Sequence, residues 1–214
     1  MHRIFAVPVG SPAPPLLYEV RGWLPRVSGL SLALLVVAAL LVGTGLLAVS
    51  ARVRFELGFS PVPITGQTFA VLLIGAVYGS RLGAVTVIAY LIEGVSGLPV
   101  FAGGASGWAY FSATSGGYFV GFIGAAYMVG WLAERGWDRS ALTMAVAMAI
   151  GNVVIYVPGW WWLMYELGIS TGRSWDIGVQ PFLIGDALKI GLASGLLPTA
   201  WAIRDELVGR GRQH

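Results

Sequence analysis

The sequence predicts an all-α integral membrane protein with six transmembrane helices. Of its 214 residues, 57% are hydrophobic and only 11% are charged, whereas soluble domains carry roughly 25% charged residues. So few charges cannot cover the surface of a soluble domain, and the chain is too apolar to be disordered. The longest stretches without a charged side chain are residues 27–51, 57–80, 94–133 and 140–165. They are candidate spans, since a helix crosses a bilayer with about 20 apolar residues.

Six helices account for these stretches. Residues 94–133 are too many for one span, and Gly and Ser clusters at 103–107 and 115–117 leave room for a loop before the fourth helix. A further apolar stretch, residues 181–203, is interrupted by Asp186 and Lys189. We predict helices at about 28–50, 63–79, 82–96, 117–133, 141–163 and 181–203. Glycines four apart, which let membrane helices approach closely, occur at Gly75, Gly79 and Gly83, at Gly117 and Gly121, and at Gly191 and Gly195.

The arginines give an orientation. With six spans, one side of the membrane holds Arg3, Arg21, Arg26, Arg81, Arg135, Arg139, Arg204, Arg210 and Arg212, and the other holds Arg52, Arg54 and Arg173. The positive-inside rule then places both termini in the cytoplasm. We predict a mobile cytoplasmic leader at 1–26, a six-helix membrane domain at 27–206 and a basic cytoplasmic tail at 207–214. Because the basic residues act as topology signals, nucleic acid is not an expected partner.

Several kinds of chemistry are excluded. The chain has no cysteine, and its two histidines, His2 and His214, lie at the ends, so a thiolate or histidine metal site is not expected. Lys189 is the only lysine and is followed by Ile190, so no phosphate-binding loop of the G-x-x-x-x-G-K-[ST] type is present. Hydrolase motifs such as G-x-S-x-G are also missing from the sequence. These features favour a binding and transport protein without a cofactor over a membrane enzyme.

Asp186 and Lys189 are the strongest candidates for a binding site. A charge in the middle of a membrane costs about 2.5–3.5 kcal/mol on insertion scales. Their spacing of three residues puts both side chains on one face of a helix. They either face a polar ligand together or form an intrahelical pair that neutralises itself. Asn152, an amide well inside the fifth helix, either bonds across helices or lines a cavity.

Two loops on the predicted outer side carry further candidates. The first runs from Pro61 to Gln67, and the second, from Leu98 to Phe111, combines glycines with aromatic side chains that include Trp108 and Tyr110. Such a loop can fold over a cavity and place aromatic rings on a ligand. The alternative is a loop that rests on the headgroup interface.

Six sequence motifs occur in consistent order across about residues 57–203. They are Pro61-Val-Pro-Ile-Thr-Gly-Gln-Thr-Phe69, Gly79-Ser-Arg-Leu-Gly-Ala84, Gly97-Leu-Pro-Val-Phe-Ala-Gly-Gly104, Ser115-Gly-Gly-Tyr118, Gly151-Asn-Val-Val-Ile-Tyr156 and Pro181-Phe-Leu-Ile-Gly-Asp-Ala-Leu-Lys189. Together these motifs resemble the BioY family of biotin-specific substrate-binding (S) components of energy-coupling factor (ECF) transporters.

The resemblance implies the ECF S-component fold, with biotin bound near the outer face of a bacterial cytoplasmic membrane. In the family the Asp and Lys of the last motif, here Asp186 and Lys189, are counted among the ligand contacts. The full set that we assign to substrate binding is Asp186, Lys189, Gly104, Ser106, Trp108, Tyr110, Gln67, Tyr118 and Asn152. The chain departs from the family pattern at Ala105 and Ser106, which leaves open the loop group that holds the biotin carboxylate. The alternative functions are binding of another small vitamin, or a membrane enzyme or channel.

The resemblance also implies partners, namely a transmembrane coupling subunit and two ATPase subunits. S-components of this type dock through small residues on the first helix. In this chain Gly29, Ala33, Ala39 and Gly43 fall within an arc of about 120° at 100° per residue. The alternative is that this arc packs against the other five helices.

Overall fold

A computed structural model describes the backbone of residues 29–210 and the side chains of residues 30–206. The leader predicted at 1–26 lies outside these residues. So does the tail predicted at 207–214, apart from the backbone of 207–210, which continues the last helix.

Helices form at all six predicted stretches. In the described part of the chain the α-helices are α1 (Gly29–Ser50), α2 (Gln67–Tyr78), α3 (Ser80–Val95), α4 (Trp108–Phe111), α5 (Gly116–Ala133), α6 (Ala141–Leu167), α7 (Thr171–Gly178) and α8 (Leu183–Arg210). Single turns of 3₁₀-helix lie at Ala102–Gly104, Trp137–Arg139 and Gln180–Phe182. Strands β1 (Arg54–Phe55) and β2 (Ile64–Thr65) pair antiparallel, with Arg54 opposite Thr65.

Two helices begin later than predicted. Helix α2 begins at Gln67 and not at 63, because Ile64 and Thr65 are extended in β2. Helix α8 begins at Leu183 and not at 181, since the 3₁₀ turn at Gln180–Phe182 precedes it. As a result Asp186 lies in the first turn of α8, where a negative charge interacts favourably with the helix dipole.

Between residues 29 and 210, four segments are long and apolar enough to cross a membrane. They are Leu30–Ser50, Gly116–Ala133, Ala141–Leu167 and the segment from Thr171 to Glu206. Helices α2 and α3 have 12 and 16 residues, which at 1.5 Å per residue is shorter than the roughly 30 Å of a bilayer core. The helical membrane architecture is therefore confirmed, while the six crossings and the orientation of the termini stay predictions.

Glycines bring α5 close to its neighbours at the centre of the bundle. A Cβ added at Gly75 of α2 would lie 2.5 Å from the carbonyl oxygen of Ala126, and one at Gly121 of α5 would lie 2.7 Å from the Cα of Ile155. A larger residue at either position would push helices apart. Gly191 and Gly195 behave differently, because a Cβ there would meet no atom within 4 Å.

Helix α1 lies at the edge of the bundle. Only 17% of the most apolar 18-residue stretch of this helix is buried inside the protein. Its inner side contacts α2 and α3: the Tyr78 hydroxyl donates to the Ala39 carbonyl at 2.9 Å, and a Cβ at Gly43 would lie 2.5 Å from Cγ2 of Thr86. The remaining side of α1 is apolar and exposed.

Candidate functional site

A cavity with an empty volume of about 510 Å³, its open mouth included, lies between α2, α5, α6 and the start of α8. Its walls come from β2 and α2, from the loop between α3 and α5, from α5 and α6, and from the start of α8. The lining residues are Val62, Pro63, Thr65, Gln67, Thr68, Ala102, Tyr110, Ser115, Tyr118, Phe119, Phe122, Tyr156, Phe182, Asp186 and Lys189.

Lys189 connects α8 to β2 and α2 across the cavity wall. Its Nζ lies 3.1 Å from Oδ1 of Asp186, 3.1 Å from the Thr65 carbonyl oxygen and 2.8 Å from Oγ1 of Thr68. An ammonium group has three N–H donors, and here each one reaches a protein oxygen. Lys189 can therefore donate to a ligand only by giving up one of these bonds.

Asp186 is almost completely buried, with 3% of the residue exposed. Its Oδ1 accepts from Lys189, and its Oδ2 accepts from the Tyr156 hydroxyl of α6. A carboxylate has about four lone-pair positions, so it can accept further N–H groups while it keeps both protein partners. Asp186 is thus an oriented acceptor at the cavity wall.

The opposite side of the cavity mouth is formed by the loop between α3 and α5, which is firmly attached. Phe101 is fully buried and stacks on Phe119 and Tyr110, with ring centroids 4.9 and 5.5 Å away. The backbone N–H of Gly107 also donates to the carbonyl of Gly94 in α3 at 2.7 Å. The Phe101 end of the loop is part of the core, and Tyr110 is held between that core and the cavity.

Two arginines on the link between α1 and β2 lie against this loop. The Arg52 guanidinium donates to the Pro99 carbonyl at 2.8 Å, and a Cβ at Gly104 would lie 2.7 Å from Nη1 of Arg52. A Cβ at Gly103 would collide with the guanidinium of Arg54. Gly103 and Gly104 have positive φ, +71° and +82°, so the backbone conformation favours glycine at both positions.

The guanidinium of Arg54 influences the pKa of Tyr110. Burial raises the pKa of Tyr110, and the positive charge of Arg54 acts in the opposite direction. Arg54 is opposite Thr65 in the antiparallel pair, and opposite residues project from the same face. Arg54 therefore lies near Tyr110 without lining the cavity itself, and it pairs with Glu56 at 3.0 Å.

The structure brings five of the predicted site residues together around the cavity. These are Gln67, Tyr110, Tyr118, Asp186 and Lys189. The other four, which do not line it, are Gly104, Ser106, Trp108 and Asn152. Trp108 is 65% exposed and stacks on Phe111. Direct contact of these four residues with a ligand stays a prediction.

Sequence reasoning missed three groups that hold the charged pair. Tyr156 could have been found, because it lies four residues after Asn152 and so on the same face of α6. Thr65 and Thr68 could not, because they meet Lys189 across more than 120 residues of sequence. Nothing in the local pattern indicates that contact.

Comparison with known proteins gives a consistent set of relatives. The profile of the BioY family matches residues 26–206. The chain is 37% identical to the Biotin transporter BioY of Rhizobium etli, with 73% of this chain and 84% of that protein covered. It is 36% identical to the Probable biotin transporter BioY of Pyrococcus horikoshii, with 69% and 85% covered.

A solved structure has the same fold. The crystal structure of the S-component for biotin from an ECF-type ABC transporter superposes with a TM-score of 0.73 and covers 83% of this chain and 95% of that one. The two sequences are 22% identical, so this match concerns the fold. Together with the relatives, it confirms the resemblance that the sequence motifs indicated.

Proposed function

This chain belongs to the BioY family, and from that premise we propose that it binds biotin and takes it up across the membrane as the substrate-specificity subunit of an ECF-type ABC transporter. The observation that carries the proposal is the cavity, because its polar wall matches the ureido group of biotin and its aromatic wall matches the apolar rings. Biotin has a ureido group with two N–H donors and a carbonyl acceptor, an apolar ring system and tail, and a terminal carboxylate.

The polar wall suits the ureido group. Asp186 keeps free lone pairs while Tyr156 and Lys189 hold it in place, so it can accept a ureido N–H. The aromatic wall of Phe119, Phe122 and Phe182 suits the apolar rings. For Gly104, Ser106, Trp108 and Asn152, which do not line this cavity, direct contact with the ligand remains part of the proposal.

The partners and the membrane follow from the family. We propose that the chain crosses the bacterial cytoplasmic membrane six times with both termini inside, works with a transmembrane coupling subunit and two ATPase subunits, and needs no cofactor. The absence of a phosphate-binding loop from the sequence supports a separate energising module. Helices α2 and α3 would then cross a locally thinned bilayer or lie within protein contacts.

Binding to the purified protein tests the proposal. In detergent, labelled biotin should bind saturably, and unlabelled biotin should compete while other small vitamins do not. Vesicles that contain all four subunits should then take up biotin only with ATP. Saturable binding of a different vitamin, with no competition by biotin, would replace biotin as the substrate.

Tyr110 should control the lifetime of the complex. Its ring lines the cavity, and contacts made after encounter act mainly on the dissociation rate. We expect Tyr110→Ala to speed dissociation of labelled biotin, and to do so more than Trp108→Ala, whose ring is mostly exposed. Equal off-rates for Tyr110→Ala and the wild type in a chase experiment would contradict the assignment of Tyr110.

A further inference from the structure

Besides the bonds around Asp186 and Lys189, a series of two hydrogen bonds begins at the cavity wall. Gln67, the first residue of α2, lines the cavity and is 3% exposed. Its Nε2 donates to the hydroxyl of Tyr90 in α3 at 2.8 Å. The Tyr90 hydroxyl, which is fully buried, donates in turn to the carbonyl of Val100 at 2.9 Å. These two hydrogen bonds thus link the cavity to the loop between α3 and α5.

The number of available protons fixes which group donates in each of these two hydrogen bonds. A tyrosine hydroxyl has one proton, and giving it to the Val100 carbonyl leaves the Tyr90 oxygen able only to accept. The neighbouring Gln67 amide must therefore present its NH₂ group to Tyr90. If the amide were reversed, Tyr90 would have to donate to it, and the Val100 carbonyl would lose its donor, which is unfavourable for a group shielded from water.

The other end of the amide then faces the cavity. Among the described residues, none donates to Oε1 of Gln67, and this atom is not one of the fully enclosed side-chain atoms that lack a partner. Lys189 donates to the backbone carbonyl of Thr65 and to the hydroxyl of Thr68, and neither threonine hydroxyl donates to Oε1. Oε1 is thus an acceptor at the cavity wall with capacity for a ligand N–H.

We propose that Tyr90 is a positioning residue that fixes the Gln67 amide with its carbonyl toward the cavity, and that this carbonyl accepts an N–H of the ligand. The inference rests on the proposed function, because biotin supplies the N–H. With Asp186 as one acceptor and Gln67 as another, the cavity offers an acceptor for each of the two ureido N–H groups. Tyr90 itself does not line the cavity and acts through Gln67.

A double-mutant cycle tests this role. Biotin affinity is measured for the wild type, Tyr90→Phe, Gln67→Leu and the double variant, all purified in detergent. Tyr90→Phe keeps the ring and its edge contact with Phe101 but lets the amide turn, so we expect about a five- to tenfold loss of affinity, as for one buried hydrogen bond. In the Gln67→Leu background the same change should have little further effect, because the residue through which it acts is gone.

Tyr78→Phe is the matched control. Tyr78 also donates its hydroxyl from a buried position, but to Ala39 of α1 and away from the cavity, so biotin affinity should not change in either background. Thermal unfolding of each variant separates loss of fold from loss of binding. Additive effects of Tyr90→Phe and Gln67→Leu, or unchanged affinity in Tyr90→Phe, overturn the positioning role alone. A wild-type protein that does not bind biotin overturns the proposed function and this inference with it.

Discussion

Asp186→Asn is expected to weaken biotin binding by at least about tenfold, which corresponds to roughly 1.4 kcal/mol. The substitution keeps the size of the side chain but removes the negative charge that Lys189 and Tyr156 both contact. Lys189 is left with two neutral oxygens and an uncompensated charge. Lys189→Met should have a similar effect, because it leaves the buried carboxylate without its cation. Breaking a buried ion pair costs about 3–5 kcal/mol, shared here between fold and ligand affinity.

The double variant Asp186→Asn/Lys189→Met separates the effect of the ion pair on stability from its effect on biotin affinity. It removes both charges, so thermal stability in detergent should recover relative to either single variant. Biotin affinity should stay low, since the acceptor for the ureido group is no longer a carboxylate. Asp176→Asn is the control, because Asp176 is an exposed residue of α7 and its loss should change neither property. Recovery of biotin affinity in the double variant would show that the pair is only structural.

The sequence predicts the helices well because their signal is simple. Long uncharged stretches specify α1, α5 and α6 regardless of their neighbours. The shorter elements depend on tertiary context: β1 and β2 have two residues each and form only because they pair with one another. Helix α7 was missed because Gly172, Arg173 and Asp176 make it polar, although Ser170 caps it through a bond from the backbone of Arg173.

The site was predicted to the extent that its residues are costly to bury. Asp186 and Lys189 are conspicuous in an apolar helix, and their spacing already places them together. Their partners are ordinary residues of other elements, such as Thr68, and the contact exists only once α8 packs beside α2. The same holds for Tyr90, which acts on the cavity only through the folded position of Gln67.

Ala33→Trp is expected to abolish ATP-dependent uptake while detergent binding of biotin stays intact. This prediction depends on docking of the coupling subunit through small residues of α1, which the resemblance to the BioY family implies. The structure divides the predicted set. Ala39 and Gly43 face α2 and α3, so they belong to the internal packing, whereas Ala33 is exposed among apolar residues such as Leu34.

Large side chains at these positions should therefore fail in different ways. Ala33 is exposed in the part of the chain that the structure describes, so a tryptophan there should interfere mainly with a partner, since close approach of membrane helices relies on small residues. Gly43→Trp would collide with Thr86 and Tyr78 and should lower thermal stability and binding together. Gly45→Trp is the matched control, because a Cβ there meets no atom within 4 Å and the residue lies about 120° around α1 from Ala33.

Uptake into vesicles with all subunits, measured beside binding in detergent, distinguishes the faces of α1. Loss of uptake in Ala33→Trp with normal uptake in Gly45→Trp supports docking through the Ala33 side. The reverse pattern would move the docking surface to the side of α1 that carries Gly45. Equal loss of binding and uptake in Ala33→Trp would mean that Ala33 contributes to the fold, and the energising subunits would then have to contact another helix.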